Sequence, residues 1–547
     1  MAVELAAAYL GSKVEGLHIA IPVVEDDISM AAPAAIKRKI ARLRSGEPPR
    51  FIDLFSGCGG ISLGFTTAGF EPIASVELDP RAAESHGANF AHISHGKISE
   101  AHFVARNVTE ERPAGIFKDI GLSGAVDEQV DVLVGGPPCQ AFTRVGRAKL
   151  RHEARRREEV TADSAFLVDG RVNLWQHYLA YVRDTKPLAL LMENVPDILN
   201  HGGTNVAEMV AEELRREGYV VRYTLLNAAW YGVPQTRERM FLIGVHRELE
   251  AEIRFPEPTH FAILPTGYEG TRATARKFIP QRGLELDHEH GHHWVDDPKP
   301  DAGLPGATTA ADALADLPAI NAMDLLAEGK IRKGAKSPLE PVSYVCSKPS
   351  TKWSGLMRGW PGFATTDQTS GHVIRYLPRD YKIFREMEEG WQYPEVWSFV
   401  EDKRQRLLEG LLRQRPSAVR NSREEEIVKG WTLPYDPKKF PNKWWKLVHD
   451  RPVRTLMAHL GKDSYSHIHF DSQQARPISI REAARLQSFP DGFVFRGSMN
   501  AAFKQVGNAV PPLMAYAIAR EIRKSIGCQV LPDMREDLLG LKARSPK

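Results

Sequence analysis

The sequence has few cysteines, no long apolar run and little excess charge of either sign. Its 547 residues include four cysteines without paired spacing, Cys58, Cys139, Cys346 and Cys528. This argues against a disulfide scaffold or a cysteine zinc site and favours a reducing compartment. No stretch approaches the roughly 20 consecutive apolar residues that a membrane span needs. The N-terminus carries Glu4 and no basic segment, so we expect no secretory signal and a cytoplasmic location.

Charge is distributed unevenly, although the formal net charge is only +3. Basic residues concentrate in three segments, Arg144–Arg157, Lys403–Arg420 and Lys438–Lys446, and the last of these also contains Trp444 and Trp445. A solvated helix face would explain any one of these clusters. Basic side chains interleaved with aromatic ones also suit phosphate contacts and base stacking. Both interpretations stay open on composition alone.

Short apolar runs alternate with helical segments from about residue 50 onward. We predict buried parallel strands at Phe51–Phe55, Pro72–Glu77, Asp131–Val134, Leu188–Met192 and Met240–Val245. This alternation predicts an α/β fold with a doubly wound, mostly parallel sheet. Ligands of such sheets bind beyond the carboxyl ends of the strands.

The alternation stops after Val245 and regular structure returns near Ser479. We therefore predict four parts: an N-terminal extension of unknown role (1–49), an α/β domain (50–247), an irregular second domain (248–475) and a C-terminal segment (476–547). Ser479 and Glu482 have the spacing of a capping box. They predict a helix that ends before Pro490.

A glycine-rich turn follows the first predicted strand, and an acidic residue ends the second. The turn, Ser56–Gly60, lets the backbone approach a ligand closely ahead of a helix N-terminus. Glu77 can accept hydrogen bonds from two ribose hydroxyls of a nucleoside cofactor. NAD, FAD and S-adenosylmethionine all suit this pair, but Gly-x-Gly-Gly is not Gly-x-Gly-x-x-Gly, which favours S-adenosylmethionine. A purely structural turn is the alternative.

Chemically active side chains follow the next strands. Cys139 comes after a Gly-Gly-Pro-Pro turn and is either a small buried residue or a thiolate presented for covalent attack. Glu193 either caps the following segment or exchanges a proton with a substrate. Arg237 and Arg239 alternate onto one face, so their guanidinium groups can converge on an anion or a carbonyl oxygen. A solvated edge is the simpler explanation of the arginines.

Six motifs in this order resemble those of the DNA (cytosine-5)-methyltransferases. They are DLFSGCGG (53–60), GGPPCQ (135–140), ENV (193–195), QTRER (235–239), REAARLQSFPD (481–491) and GNAVP (507–511). The resemblance covers about residues 50–245 and 476–520. It implies that residues 50–247 form the catalytic and cofactor-binding domain, that residues 248–475 form the target-recognition domain and that residues 476–547 return to the catalytic domain. The segment Arg454–Ala458 is also similar to the Thr-Leu-x-Ala element of the family's target-recognition regions. The resemblance implies methyl transfer from S-adenosylmethionine to cytosine, as in prokaryotic restriction–modification systems.

The resemblance also implies a role for each matching residue. Cys139 would add to C6 of cytosine, Glu193 would hold or protonate N3, and Arg239, with Arg237 nearby, would bind the O2 side. The implied cofactor contacts are Phe55, Gly57, Gly59, Glu77, Asn107, Pro137, Asn508 and Val510. Asn107 stands where the family usually has Asp, so it keeps a hydrogen-bond acceptor but carries no charge.

Chemistry at C5 requires the base to leave the duplex. The resemblance implies DNA contacts by Gln140, Arg144 and Arg147, in a loop that closes over DNA, and by Thr455. The irregular domain would read base edges in the major groove. We expect a monomer that acts on double-stranded DNA in a prokaryotic nucleoid, with a possible cognate restriction endonuclease that forms no stable complex with it.

Two other enzyme classes compete with this interpretation. An RNA cytosine-5 methyltransferase of the family's tRNA-modifying branch would have the same architecture but a more compact recognition region. A nicotinamide-dependent oxidoreductase would leave Cys139, Glu193 and the paired arginines unexplained. The segment Asp287–His293 is rich in metal-ligating side chains. Because loop histidines are usually solvated and the implied reaction needs no metal, we expect no metal site.

Overall fold

The structure is a computed structural model that describes residues 34–94, 96–138, 174–201, 203–277, 293–332, 339–414 and 430–539. Four predicted site residues, Cys139, Gln140, Arg144 and Arg147, lie outside the described residues. The same is true of residues 287–292 in the histidine-rich segment, whereas His293 is described.

A central sheet of six strands, in the order β2-β1-β3-β4-β6-β5, organises the described residues. The strands are β1 (Arg50–Leu54), β2 (Glu71–Val76), β3 (Val132–Gly135), β4 (Ala189–Asn194), β5 (Tyr219–Asn227) and β6 (Glu238–His246). The pairs β1–β2, β1–β3 and β3–β4 are parallel, whereas β6 is antiparallel to both β4 and β5. The predicted α/β fold with a mostly parallel sheet is confirmed.

One strand direction was predicted wrongly. The segment Met240–Val245 lies in β6, which runs antiparallel rather than parallel, and β5 was not predicted at all. A buried strand of either direction shows the same continuous apolar run, so the sequence carries no signal for direction here. The antiparallel direction places the first residues of β6 at the edge where β1 to β4 end.

Helices cover both faces of the sheet. They are α1 (Ala34–Arg44), α2 (Gly60–Thr67), α3 (Pro80–Phe90), α4 (Gly96–Ala101), α5 (Pro113–Ile120), α6 (Val126–Gln129), α7 (Leu174–Thr185), α8 (Val206–Arg216), α9 (Tyr268–Arg276), α10 (Ala310–Leu314), α11 (Ala322–Ala327), α12 (Lys352–Gly359), α13 (Tyr381–Glu386), α14 (Tyr393–Gln414), α15 (Ile480–Leu486), α16 (Met499–Asn508), α17 (Pro512–Ser525) and α18 (Met534–Leu539). Alternate side chains of β1 and β3 enter two apolar clusters. Phe51 and Val134 pack with α2 and α17, and Ile52 and Leu133 pack with α7 and α8. The sheet is therefore doubly wound.

The predicted capping box opens α15. Ser479 Oγ accepts a hydrogen bond from Glu482 N at 3.1 Å, and Glu482 Oε2 accepts one from Ser479 N at 2.6 Å. The helix ends at Leu486, before Pro490, as predicted. Arg476 also binds both carboxylate oxygens of Glu482, at 2.7 and 2.8 Å, and holds its pKa well below the usual range. Arg476 Nε also donates to the carbonyl of Ile320 at 3.1 Å, which joins this buried network to the second region.

The second region has its own apolar cluster, centred on Trp444, Phe384 and Tyr465. Its strands are β7 (Pro341–Ser343) and β8 (Gln368–Ser370), which pair antiparallel. Trp444 is fully buried and stacks on Tyr465, and the buried Lys446 ammonium donates to the carbonyls of Phe384 and Met387. The suggestion that these two residues contact nucleic acid is therefore wrong, because both are used in packing. Within the described residues, no helix combines the length and apolar character needed to cross a bilayer.

Candidate active site

Glu193 and Arg239 meet at the edge of the sheet where β4 ends and β6 begins. Antiparallel pairing sets Glu193 opposite Phe241, two residues beyond Arg239. Arg239 Nε lies 3.0 Å from Glu193 Oε1, with side-chain exposures of 14% and 13%. Burial raises the pKa of Glu193, and the Arg239 and Arg237 guanidinium groups oppose that rise. A carboxyl group with a raised pKa beside a fixed cation is suited to holding or transferring a proton.

The turn that leads to Cys139 is fixed against the same carboxyl group. A Cβ atom on Gly136 would lie 2.9 Å from Glu193 Oε2, so glycine allows the turn to pass directly over the carboxylate. Asn194 Nδ2 donates to the carbonyl of Pro137 at 3.3 Å. Pro137 is therefore held at the ligand edge of the sheet, two residues before Cys139.

Arg237 differs from Arg239 in its contacts. Its fully buried guanidinium donates from Nη1 to the carbonyls of Leu456, at 2.8 Å, and Gly507, at 3.2 Å. Gln235 Oε1 accepts from Leu456 N at 2.8 Å. Arg237 thus joins the start of β6 to the second region and to the C-terminal segment. Alternation predicted a shared face for the two arginines but not this division of contacts.

The segment containing Thr455 is hydrogen-bonded to the QTRER motif along its length. Val453 N donates to the carbonyl of Pro234 at 3.0 Å, and Thr236 N donates to the carbonyl of Val453 at 2.8 Å. Thr455 Oγ1 donates to the carbonyl of Thr236 at 3.3 Å. A Cβ atom on Gly507 would clash with the backbone of Met457, so glycine permits the close approach of this segment to α16.

The glycine-rich turn and Glu77 form a cradle beyond β1 and β2. Glu77 Oε2 accepts from Gly57 N at 2.9 Å and Oε1 accepts from Asp79 N at 2.7 Å, while burial raises the pKa of this carboxyl group. Gly57 has a φ of 56°, and the space where its Cβ would stand is open. Phe55 has a φ of 58°, a strained backbone conformation of the kind found at ligand sites. The carboxylate oxygens and the open space suit a ribose.

The C-terminal segment packs against this cradle. A Cβ atom on Gly60 would clash with the carbonyl of Val510, so the two backbones touch. Gly59 is the N-cap of α2 and lies against the ring of Phe90. Asn508 is the last residue of α16 and is exposed, whereas Val510 is buried. The elements carrying these predicted cofactor residues are thus in direct contact.

Asn107 lies beyond Glu77, whose carbonyl accepts a hydrogen bond from Arg106 N at 2.7 Å. Asn107 Oδ1 accepts hydrogen bonds from Thr109 N at 3.1 Å and from Thr109 Oγ1 at 2.9 Å. Its amide nitrogen donates to Glu110 at 2.7 Å. Within the structure, this side chain orders its own turn.

Asp53 opens the DLFSGCGG motif, but no role was predicted for it from the sequence. Asp53 is buried beneath the cradle, and its Oδ2 accepts from Ser62 Oγ at 2.6 Å. Burial raises the pKa of Asp53 to about 7. A buried acid inside a strand that is otherwise apolar was the available signal, because such a residue needs a specific partner.

The chain is similar to known proteins along most of its length. The family model for C-5 cytosine-specific DNA methylases matches residues 49–524. The chain is 37% identical to "Putative type II methyltransferase M.OihORF3336P" of Oceanobacillus iheyensis, over 88% of this chain and 97% of that one. It is 30% identical to the type II methyltransferase M.AgeI of Thalassovita gelatinovora, over 87% and 99% of the two chains.

One solved structure shows the same fold. It is described as a "putative DNA modification methyltransferase" encoded within a prophage of E. coli, with a TM-score of 0.52 and 20% identity over 87% of this chain and 99% of that one. Enzymes of the matching family use S-adenosylmethionine as the methyl donor, and the cradle at Glu77 and Gly57 suits its ribose. The chain belongs to the C-5 cytosine-specific DNA methylase family and is a DNA cytosine-5 methyltransferase.

Proposed function

We propose that this enzyme methylates C5 of a cytosine within a specific sequence of double-stranded DNA. In this proposal, the target base is flipped out of the helix and Cys139 adds covalently to its C6 atom. The observation that carries the proposal is the Glu193–Arg239 pair, 3.0 Å apart, beside the turn that leads to Cys139. The Glu193 carboxyl group and the Arg239 guanidinium at this edge would engage two positions of cytosine, and the proposal assigns the third to Cys139, which follows Pro137 by two residues.

Each side chain acts on a different atom of the base. The Cys139 thiolate bonds to C6, and the electron pair of the C5–C6 double bond then makes C5 nucleophilic. Glu193 hydrogen-bonds to N3 and supplies a proton there, which stabilises the negative charge of the adduct. Arg239 faces O2 and fixes the orientation of Glu193. Arg237 acts as a positioning residue, since its guanidinium is bound to the carbonyls of Leu456 and Gly507.

The cofactor is held by the residues of the cradle. Glu77 accepts hydrogen bonds from the ribose hydroxyls of S-adenosylmethionine, and the turn at Phe55, Gly57 and Gly59 lies against this cofactor. Asn107, Pro137, Asn508 and Val510 complete the enclosure. When bound, S-adenosylmethionine supplies an electrophilic methyl group. After methyl transfer, a base removes the C5 proton and the C6–sulfur bond breaks, which releases Cys139 as thiolate.

Recognition of DNA is assigned to residues 248–475 and to the segment after Cys139. Gln140, Arg144 and Arg147 contact the DNA around the flipped base, and Thr455 contacts it from the segment hydrogen-bonded to the QTRER motif. Unstacking the base costs a few kcal/mol, which these contacts offset. The relatives named as type II methyltransferases support a role in restriction–modification. We place the enzyme on nucleoid DNA as a monomer, without a stable complex with an endonuclease.

Bisulfite sequencing tests the proposed function. The full chain is expressed in a bacterial strain without cytosine methylation, and its genomic DNA is converted and sequenced. We expect protected cytosines within one short sequence context, on DNA with both strands paired. Expressed, folded protein that leaves every cytosine convertible, or that methylates only RNA in a tritiated-methyl assay, would refute the proposal.

Substitution of Gly57 tests the cofactor cradle. Gly57→Ala places a methyl group in the open space beside Glu77, so we expect the Kd for S-adenosylmethionine to rise at least about tenfold, the equivalent of 1.4 kcal/mol. The positive φ adds a stability cost of about 1–2 kcal/mol. Gly46→Ala is the matched control, because Gly46 also has a positive φ and open surroundings but lies before β1. Calorimetric titration should show weaker binding in the Gly57 variant alone; equal affinities in both variants would place the donor elsewhere.

A further inference from the structure

We propose that Glu208, Glu212 and His293 bind a divalent transition-metal ion such as Zn²⁺. One ligand atom from each residue lies within 4.8 Å of the others. The cluster joins α8 to His293, the last residue of the histidine-rich segment, next to the edge strand β5. No metal site was predicted from the sequence, because loop histidines are usually solvated and the implied reaction needs no metal. Nothing in the sequence indicated that carboxylates from α8 would meet His293.

The helix and the neighbouring chain fix the geometry of the three groups. Glu208 and Glu212 are four residues apart in α8, so their side chains share one face. His293 Nδ1 lies 2.7 Å from Glu208 Oε1 and 3.9 Å from Glu212 Oε1. The backbone of His293 is held by Tyr223 N, which donates to its carbonyl at 2.9 Å. One imidazole nitrogen therefore faces two carboxylate oxygens.

Burial and the surrounding hydrogen bonds also favour a metal. The His293 side chain is 3% exposed, whereas the Glu208 and Glu212 side chains are 24% and 28% exposed, which leaves an entry path and room for water ligands. The Tyr223 hydroxyl donates to Glu208 Oε2 at 2.6 Å, and Asn205 donates to that hydroxyl at 2.9 Å. Hydrogen bonds of this kind orient the carboxylate ligands of metal sites.

Ligand chemistry selects the class of ion. One imidazole nitrogen and two carboxylate oxygens suit Zn²⁺ and neighbouring first-row divalent ions, with water completing the coordination. The ion takes no part in methyl transfer and instead fastens residues 293–297 to α8. The metal-free alternative is an ion pair between His293 and Glu208.

Calorimetric titration of the full chain with Zn²⁺ distinguishes the metal site from the metal-free ion pair. Glu212→Gln retains the close contact between His293 and Glu208 but removes the third ligand, so an ion pair would survive and a metal site would not. We expect this variant, and His293→Ala, to bind Zn²⁺ at least tenfold more weakly and to lose most of the rise in Tm that Zn²⁺ produces. Glu213→Gln is the control, since Glu213 pairs with Arg216 on the same helix.

The remaining outcomes overturn the proposal. Wild-type protein that binds no Zn²⁺ contains only the ion pair. Equal binding by wild type, Glu212→Gln and His293→Ala would mean that other side chains, such as the histidines of residues 288–292, hold the ion.

Discussion

Cys139→Ser is expected to reduce kcat for methyl transfer by at least about 10⁴-fold, on the scale seen when a covalent nucleophile is removed. A serine hydroxyl is far less ionised than a thiol at neutral pH, so it cannot add to C6 at a comparable rate. The cofactor cradle is formed by other residues, so the Kd for S-adenosylmethionine should change by less than about threefold, under 1 kcal/mol. A tritiated-methyl assay and calorimetric titration measure the two quantities.

DNA containing 5-fluorocytosine gives an independent measure of the covalent step. Fluorine replaces the C5 hydrogen that must be lost as a proton, so elimination is blocked and wild-type enzyme should remain attached to this DNA through denaturing electrophoresis. The Cys139→Ser variant should form no such complex. Cys346→Ser is the matched control, because Cys346 is an exposed cysteine of the second region, and it should behave as wild type. Substantial turnover by the Cys139 variant would exclude the covalent mechanism.

Glu193→Gln is expected to lower kcat by about 10²–10⁴-fold, the range typical for loss of a general acid. The amide can still hydrogen-bond to N3 but cannot supply a proton, so KM for DNA should change much less than kcat. Glu217→Gln is the control, because Glu217 forms only an exposed ion pair with Arg183. If the Glu193 variant lost DNA affinity and kept its kcat, the carboxyl group would be a binding contact and not an acid.

The pH dependence of kcat gives the sign of this role. Burial raises the pKa of Glu193, and the protonated form is the one that supplies the proton. The rate should therefore fall as the pH rises through that pKa, and the fall should be absent in Glu193→Gln. Arg239→Met removes the cation that opposes the rise in pKa. We expect the Arg239→Met variant to be slower than wild type. Its rate should also begin to fall at a higher pH, because the pKa of Glu193 is raised further.

The sequence predicted the parts of the site that lie on parallel strands. Glu77 and Glu193 each follow an apolar run, and the carboxyl ends of parallel strands share one edge, so their placement follows from the pattern. The position of Arg239 does not, because it depends on β6 running in the opposite direction. The apolar runs of buried strands are independent of direction, and only tertiary pairing settles it.

Contacts between distant parts of the chain could not be predicted from the sequence either. Arg237 was predicted to face the substrate with Arg239, but its nearest acceptors are carbonyls more than 200 residues away in the chain. The basic cluster that contains Trp444 and Lys446 suggested a nucleic-acid contact, but both residues are buried. Composition does not distinguish a buried aromatic residue from an exposed one. In each case the missing information is which backbone groups need a partner inside the folded protein.

The hydrogen bonds between residues 234–237 and 453–456 limit how such an enzyme can be given a new DNA specificity. An exchange of recognition regions between relatives replaces one side of this backbone pairing. If the fusion point lies before Val453, the native segment 453–457 keeps its hydrogen bonds to residues 234–237 and its packing against Gly507. If the fusion point lies after residue 457, a segment from the relative pairs with the strand that carries Arg239. Such a chimaera could bind its new DNA sequence and still misalign the base.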